Sequence, residues 1–170
     1  DALRPFLQIN SNPSQKIVAG VYLMIFKDHV KFFADTTVNI DPTAEQLADI
    51  AIHTADLALQ LEVKPRIAML SFSNFGSVKH PDTRKIARAV QLVKERRPDL
   101  VIDGEMQADT AVSAETLRED FQFSDLKSPA NVLIFPNLHA GNIAYKLVSE
   151  LSGVTPVGPI LVGMNSAVNI

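Results

Sequence analysis

The feature that most constrains this chain is a change of rhythm at residue 43. Beyond it, short apolar runs alternate with amphipathic stretches. Ile67 to Ser71, Leu100-Val-Ile-Asp103, Asn131-Val-Leu-Ile-Phe135 and Pro159-Ile-Leu-Val162 read as strands. Between them, apolar residues recur at spacings of three and four, over Ala44–Leu61, Asp82–Arg97 and Ala140–Leu151. A short helix is expected over Ala114–Asp120 and a loop over Phe121–Pro129. Strands joined by helices cannot pair as hairpins and instead build a parallel sheet with helices on its faces. Before residue 43, Ile17–Phe26 and Val30–Ala34 flank the polar turn Lys27-Asp28-His29 and read as an N-terminal β-hairpin. The expected fold is therefore α/β: a mainly parallel sheet flanked by helices, opened by a hairpin.

Local chemistry marks the element ends. Thr43 followed three residues later by Gln46 predicts a capped helix start, with Leu47, Ile50, Ala51, Ala55, Ala58 and Leu59 as its buried face. Ile86, Ala89, Val90 and Val93 form the face of the next helix, whose basic last turn at Lys94, Arg96 and Arg97 suits a helix C-terminus. Pro98 stops it, and Gly153 closes the third helix.

Composition narrows the function. The 170 residues carry a net charge of −3 and no cysteine. Such a chain offers no electrostatic footprint for nucleic acid or an anionic membrane. It also holds no disulfide, thiolate metal site or cysteine nucleophile. No apolar run approaches the roughly 20 residues that span a bilayer. A cytoplasmic location is the expectation. Asp1-Ala-Leu-Arg-Pro5 and Ala167–Ile170 both look like elements under way, so a single fragment of one domain, cut at both ends, is expected.

Three predicted strand ends are unusually polar: Ser71–Ser77, Asp103–Asp109 and Pro136–Asn142. In a parallel sheet all three project from the carboxyl edge, where α/β folds bind ligands. Asp103, Glu105 and Asp109 suggest a hard cation, but no second acidic cluster completes a shell; one turn-capping carboxylate and two solvated ones are the preferred reading, with no metal site. His29 and His53 have no evident chemical role. His80 and His139 fall in candidate loops, and a Ser73–His139 nucleophile pair lacks any elbow motif. Neither a P-loop nor G-x-G-x-x-G is present. Arg84, Lys85 and Arg88 form a basic strip that reads as a solvated helix face.

The loops, taken in order, resemble the phosphate acetyl/butyryltransferase family. The motifs are Asp35-Thr-Thr-Val-Asn-Ile-Asp41-Pro, Arg66-Ile-Ala-Met-Leu-Ser, Asp103-Gly-Glu-Met-Gln-Ala-Asp109, Asn131–Leu147 and Gly158-Pro-Ile-Leu-Val-Gly163, which cover essentially the whole chain. The resemblance implies an isocitrate/isopropylmalate dehydrogenase-like architecture. It also implies an acetyl-CoA or phosphate cleft lined by Ser71, Ser73, Asn74, Gly76 and Ser77, and by Asn137, Gly141 and Asn142. No catalytic residue is assigned, because the family's Ser-Arg and Asp follow the strand at 157–164, beyond Asn169.

One departure shapes the expected function. Where the family usually has Ser-Tyr-Ser-Thr-Lys-Gly-Ser, this chain has Ser71-Phe-Ser-Asn-Phe-Gly-Ser77. Phe75 in place of a lysine removes a cation from a loop expected to face phosphate. The form resembles the C-terminal domain of bacterial NADP-dependent malic enzymes. That resemblance implies a regulatory domain that senses acetyl-CoA within a homo-oligomer and is not itself catalytic. Oxidative decarboxylation of malate, with NADP and a divalent metal, would belong to an upstream portion; no cofactor is expected in this segment. The alternatives are part of an active phosphate acetyltransferase, and a purely structural oligomerisation domain.

Overall fold

The computed structural model describes residues 17–164 and the backbone of 168–169. The segment Asp1–Pro5, read above as an element under way, lies outside the described residues. The chain runs β1 (Ala19–Ile25), β2 (Val30–Ala34), α1 (Ala44–Gln60), β3 (Arg66–Leu70), α2 (Pro81–Arg96) and β4 (Val101–Met106). It continues through α3 (Ala108–Val112), α4 (Ala114–Glu119), β5 (Val132–Ile134), α5 (Leu138–Ser152), β6 (Thr155–Val162) and β7 (Val168–Asn169).

The strands form one sheet in the order β4-β3-β5-β2-β1-β6-β7. β4, β3, β5 and β2 are mutually parallel. β1 is antiparallel to both β2 and β6, and β7 is antiparallel to β6. The expected hairpin is thus the hinge between a parallel half and an antiparallel half. Each parallel strand is followed by a helical crossover, as the sequence rhythm requires.

Alternation along the strands separates two cores. Phe32, Ile67, Ile102, Val132 and Ile134 face α1 and α2, packing against Leu47, Ile50, Ile86, Ala89 and Val93. Phe33, Ala68, Leu70, Met106 and Leu133 face the other side, with Ala111, Leu117 and Leu126, and with Ala140, Ala144 and Val148 of α5 packed against them. Each large side chain removed from water here contributes roughly 1.5–3 kcal/mol.

Most local expectations hold. Thr43 and Gln46 form the reciprocal capping box of α1, with bonds of 3.2 and 2.9 Å. The buried face of α1 includes Thr54, whose hydroxyl donates back to the Ile50 carbonyl at 2.7 Å, while Leu59 is exposed at the margin of the stripe. The basic end of α2 serves more than its own dipole. Lys94 donates to Asp125 at 2.7 Å, Arg96 to Asp49 at 2.7 Å and Arg97 to Asp56 at 2.8 Å, tying α2 to α1 and to the 121–129 loop. Arg97 is held strongly protonated by its bonds to Asp99 and Asp56.

Two elements differ from expectation. β4 does not stop at Gly104 but runs through it to Met106, with an irregular register opposite Met69 and Leu70. Glycine is needed there, because a Cβ at Gly104 would lie 2.6 Å from the Met69 carbonyl oxygen, and φ is +143°. After Gln107, Ala108–Val112 form α3, which at five residues is too short to leave a periodic signal.

The loop after β2 is built on Asp35, which is 3% exposed. Its Oδ1 accepts from the amides of Gly20, Thr37 and Val38 at 3.0–3.1 Å. Its Oδ2 accepts from the Asn39 amide at 2.7 Å and from Asn39 Nδ2 at 2.6 Å. Asp35→Ala strands these donors and is expected to lower unfolding free energy by about 3 kcal/mol, read from urea denaturation midpoints at unchanged m-value.

Candidate functional site

The carboxyl ends of β3 and β5, neighbours in the sheet, open into a cavity of about 390 Å³. Ser71 and Phe72 enter it from β3, and Pro136 and Asn137 from β5. The remaining walls come from Ile40 and Asp41 after β2, from Asp82, Lys85 and Ile86 in the first turns of α2, and from His139 in α5. The helices on both sides start here. Asn137 caps α5 by accepting from the Ala140 amide at 3.0 Å, and His80 caps α2 by accepting from the Asp82 amide at 3.1 Å. Among the described residues Lys85 is the sole Lys or Arg lining the cavity, and it donates to Asp41 Oδ1 at 3.0 Å.

The expected ligand residues divide into two groups. Ser71 and Asn137 line the cavity. Ser73, Asn74, Gly76 and Ser77 fold onto the end of β4. Ser73, fully buried, donates to Glu105 Oε1 at 3.0 Å, and its Oγ accepts from the Val78 amide at 3.0 Å. The Gly76 amide donates to the same Glu105 oxygen at 2.6 Å. Asn74 Oδ1 accepts from the Gln107 amide at 2.7 Å, and Ser77 Oγ accepts from the Asn74 amide at 3.1 Å. Gly141 is buried where α5 crosses the Asp35 backbone: a Cβ there would sit 2.1 Å from that carbonyl oxygen. Asn142 Nδ2 donates to the Thr36 carbonyl at 3.1 Å and borders a second, smaller pocket with Ile40, Leu138, His139 and Ile143.

The three polar strand ends therefore have different jobs. Those of β3 and β5 line the cavity, while that of β4 buttresses the β3 loop. Asp103 and Glu105 are buried and bonded rather than solvated. Asp103 accepts from Ser124 Oγ and from the Asp125 amide, both at 2.8 Å. Asp109 is exposed on α3. Among the described residues no group of three His, Asp or Glu is placed to hold a metal ion. A Ser73–His139 pair has no geometric support, since the Ser73 hydroxyl is committed to Glu105. Ile40, Asp41, Phe72 and Lys85 were not apparent from the strand-end pattern. Lys85, expected to be solvated, is half-buried.

Phe75 corrects a central expectation. Its ring leaves the cavity side and packs 5.3 Å from Phe121 and 4.9 Å from Phe123, at the edge of the second core. It is not among the residues lining the cavity.

The chain belongs to the phosphate acetyl/butaryl transferase family, whose sequence profile matches residues 1–170. It is 43% identical over 170 residues to a phosphate acetyltransferase of Bacillus subtilis, covering 99% of this chain and 53% of that protein. It is 45% identical over 177 residues to one of Clostridium acetobutylicum, again covering 99% of this chain and 53% of that protein. The same fold occurs in the EutD phosphotransacetylase of Staphylococcus aureus (TM-score 0.91, 38% identity, covering 99% of this chain and 53% of that one). A phosphotransacetylase of Streptococcus pyogenes also shares it (TM-score 0.91, 42% identity, 98% and 52%). The chain thus spans about half the length of these relatives.

These relatives overturn the malic-enzyme reading. Matches above 40% identity along nearly the whole chain are phosphate acetyltransferases, and nothing supports an NADP-dependent oxidoreductase parent. That reading rested on the lost lysine, whose position lies in an aromatic cluster outside the cavity. The fold itself, a mostly parallel mixed sheet flanked by helices, matches the phosphotransacetylase structures.

Glu105 is expected to govern the order of the 71–77 loop. Glu105→Ala should raise hydrogen-exchange rates of the Gly76 and Val78 amides at least tenfold (about 1.4 kcal/mol of local opening), with Glu105→Gln closer to wild type, by exchange mass spectrometry or NMR.

Proposed function

We propose that this chain is part of a phosphate acetyltransferase, contributing one wall of the cleft in which an acetyl group passes between CoA and phosphate. The observation that carries the reading is 43% identity to a phosphate acetyltransferase along 99% of the chain. The cavity at the ends of β3 and β5 agrees with it in position and in chemistry. Two helix N-termini present positive dipole ends beside it, which suits an anionic substrate; Lys85 is there too, paired with Asp41, and Asp82 is a second carboxylate of the wall. In the direction of thioester formation the CoA sulfur bonds to the acetyl carbon of acetyl phosphate, the carbon–oxygen bond to the phosphate breaks, and phosphate leaves with the electron pair and takes up the thiol proton. The Ser71 hydroxyl and Lys85 are the groups of this chain proposed to bind the phosphate. Acetyl-CoA and CoA are proposed as substrates, which suits a cytoplasmic location. No helix among the described residues is long and apolar enough to cross a membrane.

The test is direct. The full-length protein that carries this chain, purified and given acetyl phosphate and CoA, is expected to form a thioester, followed by its ultraviolet absorbance; a folded full-length protein that forms none overturns the reading. Lys85→Met is expected to lower kcat/KM for acetyl phosphate about tenfold, equivalent to about 1.4 kcal/mol.

We also propose self-association. Ile143, Leu147 and Leu151 recur every four residues on α5 and are all exposed, Leu151 at 83%. A stripe of this kind is what a second subunit would cover. Leu147→Glu is expected to shift the protein to a smaller species in size-exclusion chromatography with light scattering.

A further inference from the structure

The opposite edge of the sheet holds a cavity that the acetyl-transfer reading does not use. It measures about 450 Å³, and Lys31, Arg66 and Asn131 line it with the apolar side chains Val63, Val112 and Pro129. The register explains why the polar groups meet. Phe32 pairs with Val132 and Ile67 pairs with Val132, so Lys31, Asn131 and Arg66 form a row across three neighbouring parallel strands at their amino ends. Phe32, Val132 and Ile67 belong to the core under α1 and α2, so alternation turns the row toward the opposite face, the α3 side.

Two cations in this row are unusual. Lys31 Nζ donates to the Ala130 carbonyl at 2.7 Å and Arg66 Nε to the Pro129 carbonyl at 2.8 Å. Both partners are neutral. Among the described residues no carboxylate lies within ion-pair distance of either cation. The nearby His29 ring is taken by Asp28, 2.6 Å away, and the Asn131 amide by the Lys64 carbonyl at 3.0 Å. Burial, and then the charge of Arg66, push the Lys31 ammonium below its usual pKa. Half-buried like charges that feel one another across a row of strands are unfavourable unless something neutralises them. The remaining N–H groups of the guanidinium and the ammonium are the donors an oxyanion takes.

We infer that this amino-edge cavity is a binding site for a small phosphate-bearing molecule, its phosphate held between Lys31 and Arg66 and its carbon skeleton against Val63, Val112 and Pro129. The site is separate from the acetyl-transfer cleft and stands or falls without it.

The test titrates the chain with glycerol 3-phosphate, with inorganic phosphate and, as an ionic-strength control, with sodium chloride, following backbone and lysine ammonium NMR signals. Saturable shifts at Lys31, Arg66 and Val112, together with a rise of the Lys31 pKa on binding, are expected. Lys31→Met should weaken binding at least tenfold. Arg66→Lys keeps the charge and loses the planar fork, and should weaken it less, which keeps the test usable if Arg66→Met fails to fold. Tighter binding of glycerol 3-phosphate assigns the site to phosphate esters, and equal binding assigns it to phosphate itself. Three results overturn the site: shifts only around Ser71 and Asn137, shifts reproduced by chloride, or full affinity in Lys31→Met. The first of these leaves the acetyl-transfer reading intact. Saturation at Lys31 in a protein that forms no thioester fails that reading and keeps this site.

Discussion

The Asp35 carboxylate holds together what the topology would otherwise leave loose. The sheet changes from parallel to antiparallel between β2 and β1, and the chain leaves β2 at that seam. A carboxylate can accept several hydrogen bonds at once, and Asp35 spends its capacity on the amide of Gly20 in β1 and on three successive amides of its own loop. The loop is thereby fixed against the strand, and its backbone becomes the surface on which α5 starts. Gly141 exists because that surface is close: the Asp35 carbonyl occupies the space a side chain would need. Asn142 then closes the contact through the Thr36 carbonyl. The cavity between β3 and β5 inherits its position from this arrangement, since Ile40 and Asp41 on one side and Asn137 and His139 on the other are set by the two ends of the Asp35 contact.

A second buried carboxylate, Glu105, does similar work across the sheet. By accepting from Ser73 and from Gly76, it binds the β3 loop to the end of β4. The serine-rich segment is thus largely bonded within the protein. Its polar groups are satisfied by one another, by Glu105 and by the Gln107 amide, which leaves Ser71 to face the cavity. A polar loop at a strand end is evidence of polar demand, and that demand can come from a neighbouring strand as readily as from a ligand.

Phe75 shows how a sequence difference can be misassigned. A lysine-to-phenylalanine change in a phosphate-facing loop implies lost charge at the site. The ring instead joins Phe121 and Phe123, where it caps the second core. The ring is therefore part of the core's edge and not of the cavity lining.

The alternation of strands and helices, the hairpin, the capped start of α1 and the mainly parallel sheet were all legible in the chain, because they follow from apolar period and short-range hydrogen bonding. The sequence also pointed to Ser71 and Asn137, which line the cavity at the ends of β3 and β5. It could not separate them from Ser73, Asn74, Gly76 and Ser77, because that distinction depends on where Glu105 lies, 32 residues from Ser73. Nor could it show that β4 continues through Gly104, that Lys85 meets Asp41, or that Lys31 and Arg66 stand in one row. Each of these is a contact between distant segments. Strand register and crossover packing decided them, and neither is encoded in any single stretch of the chain.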